Sequence, residues 1–431
     1  MPKNYPLRNL LSFIVDNRGR TCPTSSEGLP LIATNCVKNS TLYPVFEKVR
    51  YVDAKTYRNW FRSHPKPGDL IFVLKGSPGQ VCLTPDPVNF CIAQDMVALR
   101  ANSEIVDPSY LFAALRSPQI QEAISGLHVG SMIAHFKKGD FDRLEIPVPD
   151  IETQRAIGSF YLSISRKIEN NTRTAATLEE MARALYRSWF VDFDPVRARA
   201  EGSAPAHMDA ATSALFPDSF GDDGLPVGWE QGALIAQANW VNGAAYKNMH
   251  FSGERDALPV VKIAELKAGI TAGTRFTATD LGARYKINRG ELLYSWSGNP
   301  DTSIDAFIWQ FGPAWLNQHI FTVRENGSMS RAMLFMMLKH FNADLCEIAR
   351  NKQTTGLGHI TKKDMETFLV VIPSPEVLQA FESNALPLFG KYCQTLYETQ
   401  SLASLRDTLL PRLMSGEIRV GAACELIEEV A

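Results

Sequence analysis

Between Asp150 and Trp189 the apolar positions recur with the 3-4 alternation of a coiled-coil helix. One row is Ile157, Ile164, Asn171, Leu178 and Leu185, and the other is Tyr161, Ile168, Ala175, Ala182 and Trp189. No proline, and no glycine after Gly158, interrupts the run. Asp150 is placed to accept from the orphan amides of the first turn, and Glu152 complements the helix dipole. About 38 helical residues at ~1.5 Å each make a rod of roughly 57 Å, too long to hide inside one globule. A second helical stretch runs from Ser374 to Ser415 and opens on Ser374-Pro375-Glu376, a capping serine, a proline at the first helical position and an acid. Its seam is Phe381, Leu388, Thr395, Leu402 and Leu409 in one row, with Ala385, Tyr392, Thr399 and Leu413 in the other. Arg406 breaks the second row, and Pro387, Gly390 and Pro411 predict bends. Each helix carries a polar seam residue midway, Asn171 or Thr395. A buried polar layer fixes register, so the two helices are expected to pair antiparallel with these layers near the middle.

Ahead of each helix lies a stretch of short apolar runs separated by turn signals. The first, Met1 to Pro149, contains Leu10–Val15, Leu29–Ala33, Leu70–Leu74 and Cys91–Leu99 as strand candidates, with Pro108–Leu115 a short helix. The second spans Trp229 to Pro373. Between them Phe193 to Gly228, rich in Ala, Gly, Pro and Asp, reads as an exposed linker. A shift of about 224 residues lays Gln94 on Gln318, His135 on His359, Lys137-Lys138 on Thr361-Lys362 and Leu178 on Leu402. Pro67-Gly68-Asp69-Leu70 parallels Arg289-Gly290-Glu291-Leu292, and Ile146-Pro147-Val148-Pro149 parallels Ile372-Pro373-Ser374-Pro375. So long a period excludes a solenoid and implies a duplicated domain. The expected fold is α+β: two globular mixed α/β domains separated by two long helices in an antiparallel coiled coil, an internal repeat with pseudo-twofold character.

The chain has 431 residues, 45% of them hydrophobic, enough for two or three domains with their own cores. No apolar run reaches the ~20 residues of a membrane span and the N-terminus lacks a signal-peptide core, so a cytoplasmic location is expected. Seven cysteines without a CxxC pair predict neither a disulfide framework nor a zinc site. The net charge of -2 excludes a uniformly basic nucleic-acid binder and leaves local patches. Two exist, in corresponding places of the repeat. From Lys38 to Lys66 seven basic residues face two acidic ones, interleaved with Tyr43, Phe46, Tyr51, Tyr57, Trp60 and Phe61; from Lys247 to Arg289 eight basic residues, Arg255 among them, face four acidic ones. The DNA-binding candidates are Lys48, Arg50, Lys55, Arg58 and Arg62 in the first copy, and Lys247, Lys262, Arg275, Arg284 and Lys286 in the second. Lysine and arginine there neutralise phosphates, and a subset reaches base edges.

Catalytic signatures are missing. Lys75-Gly76-Ser77-Pro78-Gly79 is a glycine-rich turn and not a phosphate loop, and Asn299-Pro300-Asp301 lacks the second proline and aromatic of a base methyltransferase. Pro217-Asp218 and Pro300-Asp301 have no downstream acid-x-lysine for a nuclease. His135 and His359 read as packing or turn histidines, and Asp192-Phe193-Asp194-Pro195 as a helix stop. No catalytic residue, metal or cofactor is expected.

The segment Leu178-Glu179-Glu180-Met181-Ala182-Arg183-Ala184-Leu185-Tyr186-Arg187-Ser188-Trp189-Phe190-Val191-Asp192-Phe193-Asp194-Pro195 resembles the central segment of specificity subunits of Type I restriction-modification systems. Leu215-Phe216-Pro217-Asp218-Ser219-Phe220, Leu225-Pro226-Val227-Gly228-Trp229 and Leu405-Arg406-Asp407-Thr408-Leu409-Leu410-Pro411-Arg412-Leu413-Met414-Ser415-Gly416-Glu417 carry the same likeness. The resemblance implies two target recognition domains, 1–149 and 229–373, each reading half of a split asymmetric site in double-stranded DNA. It implies spacer helices at 150–195 and 374–416, a linker at 196–228 and a tail at 417–431. It also implies methyltransferase subunits, two of them, and a motor-nuclease subunit as partners. Leu178, Met181, Leu185, Trp189, Phe190, Leu409 and Leu413 are the partner-binding candidates. The competing reading is a coiled-coil scaffold whose two globules bind protein.

Overall fold

The computed structural model describes residues 2–17, 21–127, 134–254, 256–353 and 356–428. The chain divides into two compact units, residues 1–171 with 401–431, and residues 172–400.

In the first unit the strands are β1 (Lys3–Pro6), β2 (Leu11–Val15), β3 (Leu29–Ile32), β4 (Arg50–Val52), β5 (Leu70–Val73), β6 (Val81–Leu83), β7 (Cys91–Ile92), β8 (Met96–Ala101) and β9 (Glu145–Val148). They form a four-stranded sheet in the order β2-β8-β5-β6, a small sheet β4-β3-β7 in which β3 and β7 are parallel, and the pair β1-β9. β5 and β8 are buried on both faces, which is why they read as unbroken apolar runs. Leu70, Phe72, Val97 and Leu99 pack with the helices Pro108–Arg116 and Pro118–Gly126, while Ile71, Val73, Met96 and Ala98 pack with Ile32, Phe90 and Ile92 under the small sheet.

The second unit repeats the plan with β10 (Glu230–Ala233), β11 (Asn239–Asn242), β12 (Leu258–Val261), β13 (Phe276–Thr277), β14 (Lys286–Ile287), β15 (Leu292–Ser295), β16 (Ser297–Gly298), β17 (Asp305–Ile308), β18 (Ala314–Leu316), β19 (Ile320–Arg324), β20 (Gly358–His359) and β21 (Leu369–Ile372). Its four-stranded sheet has the order β11-β19-β15-β17, its small sheet β13-β12-β18-β14 has β12 parallel to β18, and β10 pairs with β21 as β1 does with β9. Supporting contacts are duplicated as well. Arg100 binds Asp69 at 2.8 Å and Arg324 binds Glu291 at 3.0 Å, and Asp140 and Asp364 each accept from the backbone amide three residues earlier, that of Lys137 and of Thr361.

Both long helices are 40 residues, Ile151–Phe190 and Pro375–Met414, and each contributes to both units. Their pairing is antiparallel. In the first unit Ile157, Tyr161, Ile164 and Ile168 share a core with Leu402, Leu409 and Leu413, and Arg406 lies over the Tyr161 ring at 5.4 Å. In the second, Tyr186, Trp189 and Phe190 surround Phe381, and the Tyr392 hydroxyl donates to Glu179 at 3.4 Å. Asn171 and Thr395 are buried, each in its own unit. The helix from Pro375 runs unbroken through Pro387 and Pro411. Each proline removes one amide hydrogen bond, and the buried residues on either side, Ala385 and Phe389, Leu409 and Leu413, keep the helix seated.

The stretch after the first long helix is folded rather than an open linker. Helices Asp194–Ala200 and Ala210–Ala214 lie in it, and Val196, Phe216 and Trp229 are buried in the second unit's core around Phe190. Likewise Val420–Glu428 is a helix whose Ala423 is buried in the first unit, while residues 429–431 of the expected tail lie outside the described residues. Arg255 lies outside them too.

Candidate nucleic-acid interface

The first basic stretch folds onto the small sheet of the first unit. Arg50 opens β4 and is exposed, while Val52 at the other end of the strand is buried. Asp53 caps the short helix Ala54–Asn59 by accepting from the Thr56 amide at 2.6 Å. That helix places Lys55 and Arg58 three residues apart on one face, and exposed Arg62 follows just beyond its end. Behind them Tyr57 stacks on His64 with ring centroids 3.9 Å apart, and Phe61 is buried against Leu31, Val52 and Cys91. Burial holds the His64 imidazole below its usual range, so this ring is neutral backing. Lys48 is exposed with φ of 50°, and Lys38 is paired with Glu47 at 2.7 Å.

In the second unit the five candidates are exposed but distributed around the small sheet. Arg275 precedes the edge strand β13, and Lys286 stands on the opposite edge strand β14. Two intervening strands at ~4.8 Å spacing put these edges about 14 Å apart. Lys262 lies over the Phe251 ring at 5.3 Å, and Arg284 lies over the Tyr285 ring at 4.6 Å and donates to its hydroxyl. Lys247 opens the turn Asn248–His250 beside Tyr246, which is buried with Val260 and Trp315.

The register relates the two patches. Arg50 is opposite Leu31, which is itself beside Cys91; the amide of Val260 donates to the Arg275 carbonyl at 2.8 Å, and Val260 is beside Trp315. Arg50 and Arg275 therefore occupy the same place in the two copies, each exposed. Of the partner-binding candidates, Met181 is 50% exposed, and Leu178 and Leu185 are half-buried against the second unit's core. Trp189, Phe190, Leu409 and Leu413 do not face outward. Trp189 and Phe190 are closed over by Phe381, Phe216 and Trp229, and Leu409 and Leu413 lie in the first unit's core. Their apolar side chains hold the fold, and they are withdrawn as docking residues.

Among the described residues no three His, Cys, Asp or Glu side chains are grouped to hold a metal, and no helix is long and apolar enough to cross a membrane. Burial pushes the Cys82 and Cys91 thiols up to about 12, so neither is a thiolate nucleophile at neutral pH. His135 and His359 are both exposed, each in a short backbone bridge.

The structure is thus a mixed domain built twice, each copy bearing exposed cations on an aromatic-backed sheet. Residues 23–180 match the family model described as Type I restriction modification DNA specificity domain. The chain is 27% identical, over 82% of its own length and 87% of the relative's, to the specificity subunit of the Type I restriction enzyme HindI of Haemophilus influenzae. It is 25% identical to the MjaIX specificity subunit of Methanocaldococcus jannaschii, over 72% of its length and 69% of that subunit's. The fold is that of the Type I restriction-modification S subunit from M. genitalium, with a TM-score of 0.52 at 18% identity over 95% of both chains. The chain is similar to specificity subunits of Type I restriction-modification systems, in residues 23–180 by the family model and along most of its length by the relatives.

Proposed function

We propose that this chain is the noncatalytic subunit that gives a Type I complex its DNA sequence preference. Residues 1–149 and 229–373 act as target recognition domains, each reading one half of an asymmetric two-part site in double-stranded DNA. The observation that carries this is the duplication itself: two frames with the same strand order present an exposed arginine at the same register position, Arg50 and Arg275. One frame repeated with different side chains suits a site whose halves differ. The cations supply phosphate contacts that fix each unit on the duplex. The helix surface around Met181 is the docking face for methyltransferase subunits, two per chain, through which a motor-nuclease subunit also associates. The chain needs no cofactor of its own, because methyl transfer belongs to the modification subunit, and its place of work is with the DNA in the cytoplasm.

The test is labelled methyl transfer from S-adenosylmethionine to genomic DNA by a cognate modification subunit, with and without this chain. Transfer that requires both components and none by this chain alone is the expected result. Methyl transfer by the isolated chain, or transfer by the modification subunit that its presence leaves unaltered, would contradict the proposal.

A further inference from the structure

At the corner where the small sheet passes into the four-stranded sheet, both units repeat one backbone frame, with side chains that are the same at some matched positions and different at others. In the second unit the Trp296 amide donates to the His319 carbonyl at 3.4 Å, the Ile360 amide to the Trp296 carbonyl at 2.9 Å, and Ser297 pairs with His359. In the first, the Leu74 amide donates to the Asp95 carbonyl at 2.8 Å, the Phe136 amide to the Leu74 carbonyl at 2.7 Å, and Lys75 pairs with His135.

The side chains on this frame are polar, and those of the second unit are held by neighbouring side chains. In the second unit Asn242, Gln318 and His319 are exposed. The Trp296 indole donates to Asn242 Oδ1 at 2.9 Å, which leaves the Asn242 Nδ2 group as an outward donor. The same indole ring lies 5.5 Å from the His319 ring and 5.8 Å from buried Phe321, and Gln318 Nε2 is 3.3 Å from His319 Nε2. Gly243 permits the strand end to pass this close, since a Cβ there would meet the Asn317 carbonyl oxygen at 2.2 Å. In the first unit the matching positions are Asp16, which accepts from Lys138, and half-buried Gln94 and Asp95. Exposed lysines flank both corners, Lys75, Lys137 and Lys138 in one, Lys362 and Lys363 in the other.

We infer that these corners are the base-reading edges of the two units, with Asn242, Gln318 and His319 contacting base edges in one half-site and Asp16, Gln94 and Asp95 in the other. The inference rests on the DNA-specificity reading above and adds where sequence is read. A carboxamide presents a donor beside an acceptor, the complement of the adenine edge in the major groove, and a carboxylate accepts from the cytosine amino group. Side chains already held by an indole and a neighbouring ring lose less freedom on binding. The flanking lysines meet phosphates, which position without discriminating. Trp296 is a positioning residue that acts through Asn242 and His319.

The test uses the full chain assembled with its modification subunit. Methyl transfer is measured on the cognate duplex and on duplexes with each recognised base pair replaced in turn. The double variant Gln318→Ala, His319→Ala is expected to lose about ten- to hundredfold of its discrimination at one or two adjacent positions of a single half-site. The other half and the unread gap stay as in the wild type. Retention of every wild-type base preference would overturn the inference. Should the double variant transfer no methyl groups, Gln318→Glu answers the same question, since exchanging a donor for a second acceptor moves the preference at that position, and an unmoved preference overturns it. A wild-type complex indifferent to every replacement would instead remove the DNA-specificity reading itself.

Discussion

At the scale of single residues, the proposed function gives phosphate contact to the exposed cations and base reading to the duplicated corner. Arg58 and Arg62 beside the small sheet of the first unit, and Arg284 and Lys286 in the second, are exposed, and the proposed function has them meet phosphates. Arg58→Ala with Arg62→Ala weakens binding, and each lost phosphate contact lowers the slope of log affinity against log salt by about 1. Arg284→Ala with Lys286→Ala does the same, and the bases selected stay the same in both pairs. Fluorescence anisotropy across a salt series checks this, and unchanged affinity and slope would show that these faces do not meet DNA. The sequence alone marked these residues, because a basic run with interleaved aromatics is visible without coordinates. It could not show that Arg50 and Arg275 are equivalent, since that emerges only from the pairing of β4 and β13 with their neighbours. Gln318 was visible as a repeat position, yet its role at the corner depends on Asn242 and Trp296, far away in the chain. Trp189 and Phe190 misled for a related reason: an apolar residue on a helix is known to be covered, but not by what. Here the cover is Phe381 and the segment through Phe216 and Trp229.

At the scale of elements, the 3-4 spacing was the most legible feature of the chain. Ile157, Ile164 and Asn171 of one row and Tyr161, Ile168, Ala175, Ala182 and Trp189 of the other are all buried. Arg406, which breaks the second helix's row, is buried too, its guanidinium over Tyr161 and its Nε donating to Asp407 at 2.8 Å. The segment from Phe193 to Gly228 was less legible because glycine, proline and alanine suggest an open linker, while the few apolar side chains in it are the ones that dock. Phe381 is the centre of the helix contact in the second unit, fully buried among Tyr186, Trp189 and Phe190. Phe381→Ala leaves a cavity there and destabilises the chain by about 3–5 kcal/mol, read as a lower denaturant midpoint. A loss below ~1 kcal/mol would mean that this contact does not hold the helices together. We propose that the same pairing acts as a ruler. Whole helical turns inserted at matching levels into both long helices lengthen the unread gap of the DNA site and leave both half-sites as they are. A changed half-site with an unchanged gap would dispose of the ruler.

At the scale of the whole molecule, a net charge of -2 and two cationic faces describe a protein whose attraction to DNA is local. On the proposed function, general electrostatic binding is modest and preference arises from the fit of each unit to its own half-site. The duplicated frame accounts for both features. Arg100–Asp69 and Arg324–Glu291 hold the same sheet in each unit, while at the corners Asp16 and Asp95 of the first stand where the second has Asn242 and His319. The account's central claim is that two units of one chain read two different halves of one site. Sequencing of methylated bases across a genome exposed to the assembled complex tests it most directly. Two specified blocks of different sequence, separated by a gap of fixed length and free composition, are the predicted result. A single continuous block, or methylation without sequence preference, would contradict the claim.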